Sequence, residues 1–198
     1  MKKDLGKKFT LAQWINIFKK GSKFYYLSDL MKLSGLSYSA ARKAAQRLVK
    51  KGILIRIYTE YFGNSLCSYQ AEEVANRVYP PSYVSCETAL FHHGVIDQAP
   101  FAIVSVSTRK GKRIRIGENR FIYHKILRSL FWGYVSDKGY LLAEPEKALL
   151  DWFYLKSRKN IKPPLDEINW DQLDLKKLKK YSKHYPKNIQ LRLLNYFS

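Results

Sequence analysis

The stretch from Leu27 to Tyr58, LSDLMKLSGLSYSAARKAAQRLVKKGILIRIY, constrains the fold more than any other part of the chain. It reads as two short helices around a Leu-Ser-Gly turn, followed by a strand. Ser28 is placed to cap a helix from Asp29 to Leu33, and Ser37 to cap a second helix that stops before Gly52, which tolerates a left-handed end. At 3.6 residues per turn Ala41, Ala44, Ala45, Leu48 and Val49 fall on one side of that second helix. Tyr38, Ser39, Arg42, Lys43 and Gln46 fall largely on the other. The first face is small enough to pack closely on a neighbouring helix. The second offers hydroxyl, cationic and amide groups suited to phosphates and base edges.

The flanks extend this pattern into a winged helix-turn-helix. Upstream, LAQWINIF (Leu11 to Phe18) supplies an apolar helix, giving three helices in the required order. Downstream, Ile53, Ile55 and Ile57 alternate with Leu54, Arg56 and Tyr58, the period of a strand. Phe62-Gly63-Asn64 reads as the break before a second strand around Leu66, Cys67 and Tyr69, so a two-stranded wing is expected. In this reading Arg42, Lys43 and Gln46 enter the major groove of double-stranded DNA with Tyr38 and Ser39 at its mouth. Lys50, Lys51 and the wing residues Phe62 and Asn64 lie against the backbone.

Charge points the same way. The chain has 198 residues and carries 36 Lys+Arg against 16 Asp+Glu, a net charge of +20. A polyanion is the expected partner of such an excess. The excess is concentrated before residue 80 and after residue 155, and the middle is nearly balanced. A membrane is the competing acidic surface, but no apolar run approaches the roughly 20 residues needed to span one. The basic start MKKDLGKKF has no apolar signal core after it, and a cytoplasmic location is expected. Cys67 and Cys86 are too few for a disulfide framework and are expected as free thiols.

A helix from Glu72 to Val78 is expected to close the first domain, with Pro80-Pro81 as the boundary. The expected organisation is α+β: an N-terminal winged helix-turn-helix over 1–80, then a mixed α+β domain over 81–198 with basic C-terminal helices. In the second domain, Ser82 or Ser85 is placed to cap a helix from Cys86 to His93. Phe101 to Ser107 and Arg120 to Ile126 read as strands, with the turn Thr108 to Arg113 and a segment Ile114 to Ile116 between them. Pro145 suits the first turn of a helix EKALLDWFYLK with Ala148, Leu149, Trp152, Phe153 and Lys156 along one stripe. After the break at Pro163-Pro164, two terminal helices divided at Pro186 are expected, with apolar positions continuing through Leu193, Leu194 and Phe197. The first is rich in lysine, from Lys176 to Lys187. It is either a solvated amphipathic helix or a second nucleic-acid or partner contact.

Candidate chemistry is sparse. His92, His93 and His124 lack the paired spacing of a zinc site, and neither a metal nor another cofactor is expected. Glu144, Glu146 and Asp151 near Lys147 could be read as a metal-dependent nuclease cluster. Their spacing at a helix start fits salt bridging and capping better, so an enzyme is the alternative reading and a non-enzymatic protein the leading one. An RNA-binding module whose tyrosines stack bases is a further alternative. Five cations in seven residues, Arg109, Lys110, Lys112, Arg113 and Arg115, repel one another unless anions are near. They are either a second anion-binding surface, for a phosphate backbone or an acidic protein, or a mobile hydrated hairpin.

Four segments in the second domain resemble a known family. PSYVSCETALFHHGVI (Pro81 to Ile96), VSTRKGKRI (Val106 to Ile114), FIYHKI (Phe121 to Ile126) and AEPEKALLDWFYL (Ala143 to Leu155) look like successive motifs of the AbiEi antitoxins of abortive-infection, type IV toxin-antitoxin systems. The resemblance runs from about residue 8 to residue 155. It implies an N-terminal winged helix that represses its own operon by binding promoter repeats. It also implies a C-terminal domain that counters a nucleotidyltransferase-type toxin without a stable complex. The basic turn, Arg109, Lys110, Lys112, Arg113 and Arg115, supplies the exposed candidates in that domain.

Overall fold

The computed structural model describes residues 9–159, 161 and 165–191. The chain is mixed α+β with two separate sheets, and it divides into two compact units, Met1–Gln70 and Ala71–Ser198.

The first unit begins with helix α1, Leu11–Lys20, closed at its start by a reciprocal Thr10–Gln13 capping box and burying Trp14 and Phe18. Strand β1, Phe24–Tyr26, leads directly into helix α2, Leu27–Ser34. The cap of α2 differs from expectation. Asp29 carboxylate accepts from Tyr26 N–H at 2.8 Å, so the first turn is closed by an acid inside the helix, where the dipole also favours it, and Ser28 is not its N-cap. Helix α3, Tyr38–Lys50, follows the turn through Gly35. Strands β2, Leu54–Tyr58, and β3, Tyr61–Asn64, complete an antiparallel sheet in the order β1-β3-β2.

That sheet changes the expected hairpin. The reversal lies at Thr59-Glu60, where Glu60 has φ of 62°, and Phe62-Gly63-Asn64 belongs to the central strand. The register shifts between Arg56 and Tyr58. Strict alternation is lost there, and Leu54 and Ile57 are buried while Ile55 is exposed.

In the second unit helix α4, Ala71–Val78, packs on strands β4, Ser82–Val84, β5, Ile103–Ser107, and β9, Tyr140–Ala143. The compact units therefore part ten residues before Pro81, because α4 buries Glu73, Val74 and Ala75 against the second sheet. The sheet adds strands β6, Lys112–Ile116, β7, Asn119–Lys125, and β8, Tyr134–Asp137, in the order β6-β7-β5-β4-β9-β8. Tyr123 on β7 donates to Ala75 O at 2.7 Å, which fixes the α4 side of the sheet. Tyr83 is registered with Val106, and Val106 with His124, so these three share the opposite face. Helices α5, Cys86–His92, and α6, Pro145–Ser157, cover that face.

Helix α6 is buried all round rather than along one stripe: every residue from Glu146 to Tyr154 is inside. Helix α7, Leu175–Ser182, packs on it, capped by Asp174, and helical backbone resumes at 187–191 after Pro186. The N-terminal basic run, Pro163-Pro164, Leu193, Leu194 and Phe197 lie outside the described residues. No helix among the described residues is long and apolar enough to cross a membrane.

Candidate nucleic-acid interface

Three small residues create the inner face of α3. Ala41, Ala44 and Ala45 are at most 2% exposed and, with Leu48, pack into a core that includes Leu27 and Leu30 of α2 and Trp14 and Phe18 of α1. A larger side chain at these positions would hold the helix away from α2. The turn between the helices needs Gly35, which has φ of 69° and donates to Met31 O at 2.8 Å. Ser37 occupies the N-cap position but makes no side-chain capping bond. Its hydroxyl lies 3.4 Å from that of Ser39, and its carbonyl accepts from Ala41 N–H.

The outer face of α3 is solvent-exposed. Tyr38, Ser39, Arg42, Lys43, Gln46 and Lys50 are all on it, and Lys51 follows at the C-cap. Arg47, which the face of Tyr38 to Gln46 named above does not include, is exposed beside them; four residues after Lys43, it shares that side of the helix. Arg56 is exposed on β2. Basic residues in the last turn of α3 also complement its dipole.

Two residues assigned to the wing surface are buried. Phe62 is 3% exposed and belongs to the aromatic core. Asn64 is wholly buried: its side-chain amide donates to Phe18 O at 2.8 Å and Ser22 O at 3.2 Å, and its oxygen accepts from Leu66 N–H. The amide thus ties β3 to the last turn of α1 and to the loop after it, and neither residue can lie on a phosphate backbone. The exposed tip of the hairpin instead carries Glu60. Tyr38 hydroxyl donates to the Glu60 carboxylate, and that bond holds the Tyr38 phenol above its ordinary pKa.

In the second unit the basic turn is split between two faces. Strand β6 starts at Lys112, earlier than expected, and its alternation separates Lys112 from Arg113 and Arg115. Arg109 guanidinium lies 4.4 Å above the Tyr79 ring and donates to Pro80 O at 3.0 Å, and Lys112 lies 5.3 Å from the same ring. Tyr79 hydroxyl donates to Lys110 O at 2.8 Å, which ties the turn to the end of α4. Arg115 pairs with Glu118 at 3.4 Å on the surface, and Arg113 is exposed on the face that α6 covers further along the sheet.

The acidic residues at the start of α6 are committed to the chain's own groups. Glu144 accepts from Lys177 at 3.0 Å and Tyr181 at 2.7 Å, and Glu146 accepts from Asp174 N–H at 3.0 Å and pairs with Lys177 at 3.2 Å. Lys177 is thereby half-buried and drawn from the lysine-rich face of α7, leaving Lys176, Lys179, Lys180 and Lys183 exposed. Asp151 is enclosed in the core with Lys147, both wholly buried. The expected salt bridge forms between this pair, but in the core, because α7 and the segment after it close over α6. Ser85 occupies the N-cap position of α5 but makes no side-chain capping bond; its hydroxyl donates to Asp151 at 2.8 Å. His93 meets Ala143 O at 2.8 Å, and His92 lies 3.5 Å from Asp137.

No protein-family model matches this chain, and no curated protein matches it.

Proposed function

We propose that the first unit is a winged helix-turn-helix that binds double-stranded DNA through α3, in a protein that represses its own operon at promoter repeats and counteracts a nucleotidyltransferase-type toxin. The observation that carries the DNA reading is the division of α3 into an alanine face packed in the core and an exposed face of Arg42, Lys43, Gln46, Arg47 and Lys50. Such a helix can approach base edges while its own fold is secured from behind. The hairpin β2–β3 supplies the wing, with Arg56 as its exposed cation.

The antitoxin part rests on the four AbiEi-like segments, which supply β4 and α5, the end of β5 through most of β6, most of β7, and most of α6 with its cap and the residue before it. All four lie in the second unit. The metal-dependent enzyme has less support, since Asp151 is enclosed and Glu144 and Glu146 are held by Lys177.

Gel-shift titration of the full chain on its promoter tests the first part. Replacing Arg42 and Gln46 together by Ala is expected to lose the preference for promoter over random duplex, each lost base contact being worth about 1–3 kcal/mol. Lys50→Ala is expected to weaken both duplexes alike and flatten the salt dependence. Unchanged promoter preference in the double variant would refute the placement of α3. For the second part, a chain carrying Arg42→Ala and Gln46→Ala is expected still to rescue cells from the nucleotidyltransferase-type toxin it is proposed to counteract. Loss of rescue with normal protein levels would assign toxin control to the first unit instead.

A further inference from the structure

A groove opens on the α6 side of the second sheet, where the helix stops short of the edge strands. It encloses about 480 Å³, within the range of small-ligand sites, roughly 300–1,000 Å³. Val104, Ile122 and Trp152 line it with apolar surface, and Phe101, 79% exposed, lies at its rim. Arg113, His124, Lys156 and Lys159 bring cationic or protonatable groups from β6, β7 and the end of α6. The carboxylates are Glu87, which already pairs with Lys156 at 3.4 Å, and Glu167. Register places Arg115 and Arg120 opposite each other on the same sheet face, continuing the positive surface toward the edge.

We propose that this groove binds a nucleoside phosphate, with its phosphate held by Arg113, Lys156 and His124 and its base stacked on Phe101. Flat apolar surface next to converging cations is the combination that a phosphate monoester with an aromatic base satisfies and an inorganic anion does not. His124 adds a proton-linked feature. Burial lowers its pKa first, Lys159, Arg113 and Lys156 lower it further, and Glu87 acts against them. A phosphate dianion among these groups reverses that balance and draws a proton onto the imidazole.

The site is independent of the DNA reading, and promoter binding through α3 can fail with this groove intact. The test is calorimetric titration of the full chain with AMP, adenosine, inorganic phosphate and a short 5′-phosphorylated single-stranded oligonucleotide. AMP is expected to bind at least tenfold more tightly than adenosine or phosphate. Near pH 7, titration in buffers of different ionisation enthalpy is expected to show proton uptake that is lost in His124→Asn. Arg113→Gln with Lys156→Gln is expected to weaken AMP at least tenfold. Phe101→Ala, an exposed position whose loss cannot unsettle the core, is expected to remove about tenfold of the advantage of AMP over phosphate. Tighter binding of the oligonucleotide than of AMP would identify a strand end as the source of the phosphate, and the reverse a free nucleotide. AMP binding no tighter than phosphate, or equally tight in the Phe101 and double variants, would overturn the proposal.

Discussion

At the scale of single residues the most demanding feature is the Lys147–Asp151 pair. Neither side chain has any exposure, and the ammonium donates to Asp151 at 2.5 Å and to Tyr83 hydroxyl at 2.7 Å. Asp151 also accepts from Tyr83, Ser85 and Tyr185, at 2.9, 2.8 and 2.7 Å. Burial drives the Lys147 pKa down, against the opposing pull of Asp151. Removing one member leaves the other charged and unpaired in the core. Lys147→Met is therefore expected to cost about 3–5 kcal/mol in urea unfolding, and Lys147→Met with Asp151→Leu to cost much less. A single variant no worse than the double would show that the pair is not a coupled charge. The spacing of these two residues was plain in the sequence, and their burial was not. A lysine and an aspartate four apart look the same on a half-exposed helix and on a buried one. What encloses them includes Tyr83 and Ser85, 68 and 66 residues before Asp151, and Tyr185, 34 residues after it, and no local pattern reveals that.

At the scale of elements, α3 was legible because alanines and cations separate cleanly at helical period. The hairpin was misread because Gly63-Asn64 carries the composition of a turn. Gly63 is there for a different reason: a Cβ at that position would lie 2.5 Å from Tyr69 hydroxyl and 3.1 Å from Ile57. Close packing of a central strand and a sharp reversal both demand glycine, and a sequence does not distinguish them. The corrected hairpin puts an acid, Glu60, at the tip facing the start of α3. A carboxylate there opposes phosphate approach whatever the base sequence. If α3 binds DNA as proposed, Glu60→Gln is expected to tighten binding severalfold on promoter and random duplex alike at low salt, with the difference shrinking as salt rises. A gain confined to the promoter would mean that Glu60 acts through Tyr38 on base recognition.

At the scale of the whole chain, mixed α+β organisation in two parts was legible, whereas the parting point was not. Pro80-Pro81 ends a helix, as the backbone chemistry of proline requires, but ending a helix does not end a domain. Which sheet α4 joins depends on contacts of long range, such as that of Tyr123 hydroxyl with Ala75 O. The same unit closes on itself through α7, and this closure responds to acid. Burial would raise the Glu144 pKa, but the hydrogen bonds from Tyr181 and Lys177 outweigh it and hold the carboxyl below the ordinary glutamate value. A carboxyl depressed on folding adds stability that is complete above its unfolded pKa and is lost as pH falls through the folded one. Tyr181→Phe should therefore lower the urea midpoint at pH 7, with the gap to the parent chain closing below about pH 4. A gap that persists unchanged to pH 3 would assign the effect to packing against Trp132, whose ring is 4.8 Å from that of Tyr181.

The strand order leaves β6 at one end of the six-stranded sheet, and β6 reads Lys-Arg-Ile-Arg-Ile. A second molecule extending the sheet there in parallel register would stack identical cations about 4.8 Å apart, well inside the screening length of about 8 Å at physiological salt. The strand that borders the groove is thus also a guard against fibril growth, effective only while its charges remain unscreened and unneutralised.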